Sequence, residues 1–176
     1  MKRISFILTF FLFMACNLDS PDRYVGKAVL NTTLLGYQFG FPYFEHLSGL
    51  RSSGNLKIYE NKEFRESGSF VEYLEKVSIP EIAQKYEDIK ALKRTEEAGP
   101  MLDASIDLFQ FALDYMRTDY KAIAQMMDEG VPNPEIERAI YEFEQAKGPV
   151  FDEKYDLVGV LGKKYADDNG VDLNID

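Results

Sequence analysis

The chain has 176 residues, 30 acidic against 20 basic side chains, a net charge of −10 and one cysteine. A surface that acidic repels phosphate backbones and anionic headgroups, which argues against nucleic acid as a partner and against a basic membrane-binding patch. The single cysteine excludes an internal disulfide, so packing alone must hold the fold, and the thirteen Phe and eleven Tyr supply ample material for one domain-sized core.

The N-terminus reads Met1-Lys2-Arg3, then an apolar run from Ile4 to Ala15 broken only by Ser5 and Thr9, then Cys16. A basic start, a short apolar stretch and a small residue before the break are the parts of a secretory signal. The run is shorter than the roughly 20 residues a membrane-spanning helix needs. Leu12-Phe13-Met14-Ala15-Cys16 resembles the lipobox of bacterial lipoproteins. That resemblance implies cleavage after Ala15, lipidation of Cys16 and attachment to a membrane through it. The division expected is a signal peptide over 1–15, a lipidated tether over 16–20 and a single helical domain over 21–176. The alternative is an ordinary signal followed by a free thiol. Asn17 in place of an aspartate lacks the inner-membrane retention signal of some lipoproteins, which favours the outer membrane or cell surface within the envelope. The tether is only four residues beyond Cys16, so the start of the first helix, and with it a nearby aromatic cluster, is expected close to the bilayer.

Ser20-Pro21-Asp22 reads as a helix start with proline in the first turn. Val25, Ala28, Val29, Thr32 and Leu35 continue at helical spacing. From Leu35 to Tyr43 large apolar residues alternate with Gly36, Gln38, Gly40 and Pro42, a pattern also compatible with a strand. Pro42 disfavours a central strand, so one helix loosened around Gly40 to Pro42 is the preferred reading. Arg51 to Gly54 reads as a loop, and Asn55 to Glu66 is poorly periodic. Ser67 to Ser69 caps a short helix through Phe70 and Leu74. Ser78-Ile79-Pro80 reads as a second start, followed by the amphipathic stripe Ile82, Tyr86, Ile89 and Leu92.

The strongest periodicity begins after Gly99-Pro100. Leu102, Ile106, Phe109, Leu113, Met116, Tyr120, Ile123 and Met127 step by four and three residues. Gly130-Val131-Pro132 ends that helix, and Asn133 with Pro134 starts another, whose stripe runs through Ile136, Ile140 and Phe143. Gly148-Pro149 is expected to interrupt it before Phe151, Tyr155, Val158 and Tyr165 resume. The short connection predicts an antiparallel pair. The fold class expected is all-α: a helical bundle of about four helices dominated by a long C-terminal antiparallel hairpin.

Leu102-Asp103-Ala104, Leu108, Leu113, Tyr115, the Asp119-Tyr120-Lys121 run and Asp128, followed by Tyr141, Phe143 and Phe151, resemble the YiiG-like family of uncharacterised helical lipoproteins. The resemblance implies a helical exported domain and carries over no catalytic residue.

Candidate chemistry is sparse. His46 has no second histidine or nearby thiol with which to build a metal or nucleophilic site. The acid pairs Asp103 with Asp107 and Asp152 with Asp156, and Glu137 with the amide Asn133, lie one helical turn apart; a glycosidase needs two carboxylates about 5–9.5 Å apart across a cleft, and a solvated acidic face also produces such spacings. Asp172, Asn174 and Asp176 follow the first three positions of a calcium loop, but the chain lacks its later ligands. No phosphate loop or dinucleotide fingerprint is present, so neither cofactor nor metal is expected. Met116, Met126 and Met127 read as core. The cluster Tyr37, Phe39, Phe41, Tyr43 and Phe44 is the one candidate partner patch, weighed against its use as core. The functional expectation is a non-catalytic binding or interaction domain engaging an envelope protein or small ligand. An exported carboxylate-dependent hydrolase and a structural surface lipoprotein are the alternatives.

Overall fold

In a computed structural model, residues 19–173 are described; the signal segment and Cys16 lie outside them, as do Asn174 and Asp176. The described residues are mostly helical, with five helices and one small two-stranded sheet. Helix α1 (21–37) comprises Pro21–Val25, a π turn Gly26–Leu30 and Thr32–Tyr37; α2 is Phe41–Ser52. Strands β1 (Lys57–Glu60) and β2 (Glu63–Glu66) follow. Helix α3 (70–90) passes through a π turn at Leu74–Ser78, α4 (99–128) through one at Met116–Tyr120, and α5 is Asn133–Asn169. No described helix is long and apolar enough to cross a membrane.

Local signals explain most boundaries. Ser20 accepts a hydrogen bond from the Arg23 amide, and Ser69 from the Glu72 amide at 2.9 Å, each satisfying a free first-turn donor. Helix α3 begins against the end of α4: Asp128 accepts from the amides of Phe70 and Val71 at 2.8 and 3.0 Å, and also pairs with Arg51. The negative charge sits where the helix dipole favours it. The α5 start differs from expectation by one residue. Asn133 is already helical and makes no side-chain cap, and Pro132 precedes it.

Two expected interruptions do not occur. The short helix ending near Val77 and the one starting at Ser78 are a single helix, because the wide turn Leu74–Ser78 carries the backbone past Pro80, whose missing N–H removes one ladder bond. Likewise α5 runs unbroken for 37 residues with Pro149 inside it. Pro149 and Gln145, whose carbonyl loses its partner, are both exposed, so water can replace the bond.

The sheet is not anticipated by the periodicity. Residues Lys57 to Glu66 form an antiparallel hairpin in register Lys57↔Glu66 to Glu60↔Glu63. Asn61 and Lys62 both take positive φ (54° and 70°), as a tight two-residue hairpin turn requires. Ile58 anchors the ribbon in the core, while Arg65 bridges Glu60 and Glu72, and Lys76 reaches Glu60.

The core lies where α4 meets α1, α3 and α5. The predicted α4 stripe is buried at Leu102, Phe109, Leu113, Met116, Tyr120 and Ile123, and half-buried at Ile106 and Met127. The π turn adds something that spacing alone hides. Residues five apart on an α-helix lie on different faces, at about 100° per residue. The extra residue in the turn Met116–Tyr120 brings Tyr115 and Tyr120 to one side, with rings 4.9 Å apart. At the α1–α5 contact Gly162 lies against Val29, leaving no room for a larger residue.

Candidate functional site

The aromatic segment of residues 35–44 is helical on both sides of a three-residue break, Gln38 to Gly40. Gly40 has φ 66° and ψ −136°, a backbone region essentially reserved for glycine. Two distant helices hold the break. The Tyr120 hydroxyl of α4 accepts from the Gly40 amide at 2.6 Å and donates to the Gln38 carbonyl at 2.8 Å. Glu144 of α5 accepts from the Phe41 amide at 2.7 Å. These bonds satisfy the backbone groups that a helix break would otherwise leave unpaired.

The break divides the expected patch. Phe39 turns inward and stacks on Phe151 at 4.1 Å, with Phe143 and Tyr115 around it. Tyr43 and Phe44 are core residues: Tyr43 stacks on Tyr120 at 4.9 Å and donates to Ser78 Oγ at 2.8 Å, while Phe44 meets Tyr120 edge-on at 4.7 Å. Burial raises the pKa values of Tyr43, Tyr115 and Tyr120, the Ser78 hydrogen bond partly opposing this for Tyr43. These rings are unavailable to a partner. Only Tyr37, 78% exposed, and Phe41, 45% exposed, face solvent.

Phe41 borders a groove of about 190 Å³ between α2 and the α4–α5 junction. Its floor is Phe44, Met127, Ile136 and Ile140. Glu45, Ser48, Asn133 and Glu137 supply its polar lining, which includes two carboxylates and no basic side chain. Neither Glu45 nor Glu137 has an ion-pair partner among the described residues. The groove stands away from the start of α1. The 17 residues 21–37 span about 25 Å between the start of α1 and the break.

A second groove, of about 410 Å³, lies between α1 and α5, bordered by Leu30, Thr33, Tyr155 and Val160 with Asp156 as its one charged group. A third feature lies on the β-ribbon. Tyr59 and Phe64 pair across the β-ribbon with ring centroids 5.0 Å apart and are 64% and 73% exposed. The Asn61-Lys62 dipeptide between short apolar-containing runs is the signal that could have revealed it.

The other candidates lie apart. His46 is exposed on α2. Asp103 pairs with Arg94, which holds its carboxyl below the usual range, and Asp107 pairs with Lys154. Asp152 and Asp156 are exposed on α5, and Asp172 is exposed in the C-terminal segment. Among the described residues no three His, Cys, Asp or Glu side chains gather as a metal site requires. Met116 is buried, and Met126 and Met127 are half-buried. Comparisons with family models, curated proteins and solved structures found no match to the chain.

Proposed function

We propose that the chain is an exported lipoprotein, held in the cell envelope by lipid on Cys16, whose helical domain acts by binding rather than by catalysis. The observation that carries the anchoring is the N-terminal pattern: a basic start, an apolar run of signal length, Ala15, and then the chain's single cysteine. Two acyl chains on one residue meet the two-signal requirement for stable attachment, so the domain needs no membrane-binding surface of its own. The resemblance to the YiiG-like family points the same way.

The binding reading draws support from how the carboxylates are used. A glycosidase needs one carboxyl with a raised pKa facing another across a cleft. In the pair Asp103 and Asp107, each acid is matched to its own cation, and the pKa of Asp103 is lowered. We further propose that α4 and α5 act as an antiparallel hairpin forming the spine of the domain. The pairings Glu97 with Asn169, Asp107 with Lys154 and Tyr120 with Phe143 favour that arrangement. In that arrangement the tether joins at the Glu97–Asn169 end, and the groove opens near the α4–α5 turn.

The test is Cys16→Ser in cells that process bacterial lipoproteins, followed by membrane fractionation and labelling with an alkyne fatty acid. The unaltered chain should take up label and partition with membranes, and the variant should do neither. Retention of the variant in the membrane fraction, or an unlabelled parent chain, would overturn the anchoring.

A further inference from the structure

We infer that the groove beside Phe41 is a docking site for a basic, amphipathic segment of a partner protein. The proposal rests on the binding reading above and is independent of the lipid anchor. Three observations converge on it. The floor is continuous with the core, since Phe44 and Ile140 are nearly inaccessible, so its shape is preformed rather than induced. Phe41 stands half-exposed at the edge of this concavity, positioned by a glycine-only break that Tyr120 and Glu144 hold in place. Aromatic residues at the edge of a preformed apolar cleft are favoured interface anchors.

Charge then selects the occupant. Glu45 and Glu137 border the groove, and neither forms an ion pair among the described residues, unlike Asp103 with Arg94 or Asp107 with Lys154. A segment that places a leucine-like side chain on the floor and a lysine or arginine on each side satisfies both the apolar area and the two carboxylates. The aliphatic stem of a basic side chain can also lie along Phe41 while its charge reaches the acids. An anionic headgroup or an acidic peptide would meet repulsion. A second copy of this chain, itself at −10, is disfavoured for the same reason.

The chain lacks tryptophan, so a peptide carrying one tryptophan reports its own binding by fluorescence. The full chain in mild detergent would be titrated with two helical peptides of identical pattern, one of leucine and lysine, the other of leucine and glutamate. The lysine peptide should bind and the glutamate peptide should not. The double variant Glu45→Gln/Glu137→Gln should weaken binding about tenfold. Phe41→Ala should weaken it by a similar factor. The control Asp152→Asn/Asp156→Asn removes the same charge from another part of α5 and should leave binding unchanged.

Equal loss in the control would show attraction to net charge rather than to the groove and overturn the proposal. Undiminished binding by the groove variants, or binding of the glutamate peptide, would do the same. So would a dimer, seen by sedimentation, that the groove variants dissolve, since the occupant would then be a second copy. None of these outcomes alters the fractionation result for Cys16→Ser, so the two readings fail separately.

Discussion

Replacing Tyr120 by phenylalanine tests the joint on which both core and groove depend. The change deletes one oxygen from a fully buried ring and leaves the stacking on Tyr43 and the edge contact with Phe44 in place. That oxygen accepts from the Gly40 amide at 2.6 Å and donates to the Gln38 carbonyl at 2.8 Å. Each hydrogen bond contributes about 1 kcal/mol net, and a buried amide left without an acceptor costs a further 1–3 kcal/mol or so. The expected loss is therefore about 3 kcal/mol, a large share of the roughly 5–15 kcal/mol that holds a domain together. For a domain of this size it lowers Tm by about 6–12 °C. Urea unfolding followed by far-ultraviolet circular dichroism measures it, with an unchanged m-value as the check on two-state behaviour. Tyr43→Phe is the internal standard: it breaks one bond, to Ser78, and should cost about 1 kcal/mol. A loss for Tyr120→Phe no greater than for Tyr43→Phe, or unchanged hydrogen-exchange protection at the Gly40 amide, would refute the claim that Tyr120 holds the break.

Gly162→Ala places a methyl 2.5 Å from Val29 Cγ2 and should cost about 1–3 kcal/mol despite the better helix propensity of alanine; Val29→Ala in the same chain should restore most of it in thermal melts. Glu72 and Glu60 have pKa values lowered chiefly by hydrogen bonds, from Arg65 to Glu72 and from Lys76 to Glu60. Groups with a depressed folded pKa stabilise fully above the unfolded value of about 4.3 and lose that contribution as pH falls through the folded value. The urea midpoint should thus fall below about pH 4.3, and Arg65→Gln should flatten that dependence. In the alkaline range the sign reverses. Burial raises Tyr43, Tyr115 and Tyr120, so stability is fully present below about pH 10 and is lost above it. With no tryptophan to interfere, absorbance at the phenolate band should show a group of tyrosines that ionise only together with unfolding.

The α4 stripe was legible because a 3.6-residue period sustained over nearly thirty residues has few competing explanations. The start at Ser20 was legible because capping chemistry is local. The failures share a physical cause, which is that the deciding partner lies far away in sequence or in the solvent. Pro80 reads as the start of a separate helix and Pro149 as an interruption, yet a wide turn carries one helix past the first and solvent tolerates the second. The β-ribbon has four-residue strands and buries Ile58 alone among its strand residues, too little for alternation to register. Most telling is the run Tyr37 to Phe44. Composition shows five aromatic residues in eight positions but cannot say which face each takes. That is set by Gly40, by a hydroxyl eighty residues away and by a carboxylate more than a hundred away. The groove was illegible for the same reason, since its two carboxylates come from α2 and α5.

Two aromatic residues near the groove have separable roles. Phe41 is 45% exposed, so about half of the side chain is buried, and Phe41→Ala should cost about 1–2 kcal/mol, less than Tyr120→Phe, while weakening the docking of a basic peptide. Tyr120 does not line the cavity; it lies beneath the floor, against the ring of Phe44. It does fix the Gly40 amide, and Phe41 is the next residue, so Tyr120→Phe should both destabilise the fold and weaken docking, by letting the edge of the groove move. Peptide titration of the two variants at a temperature where both are folded decides the matter. If Tyr120→Phe binds as tightly as the parent chain, the break is held by Glu144 alone, and the groove is independent of the hydroxyl beneath it. If it binds more weakly, and Phe41→Ala loses less stability than Tyr120→Phe, then the three residues Gln38 to Gly40 couple the packing of the bundle to the shape of its docking surface.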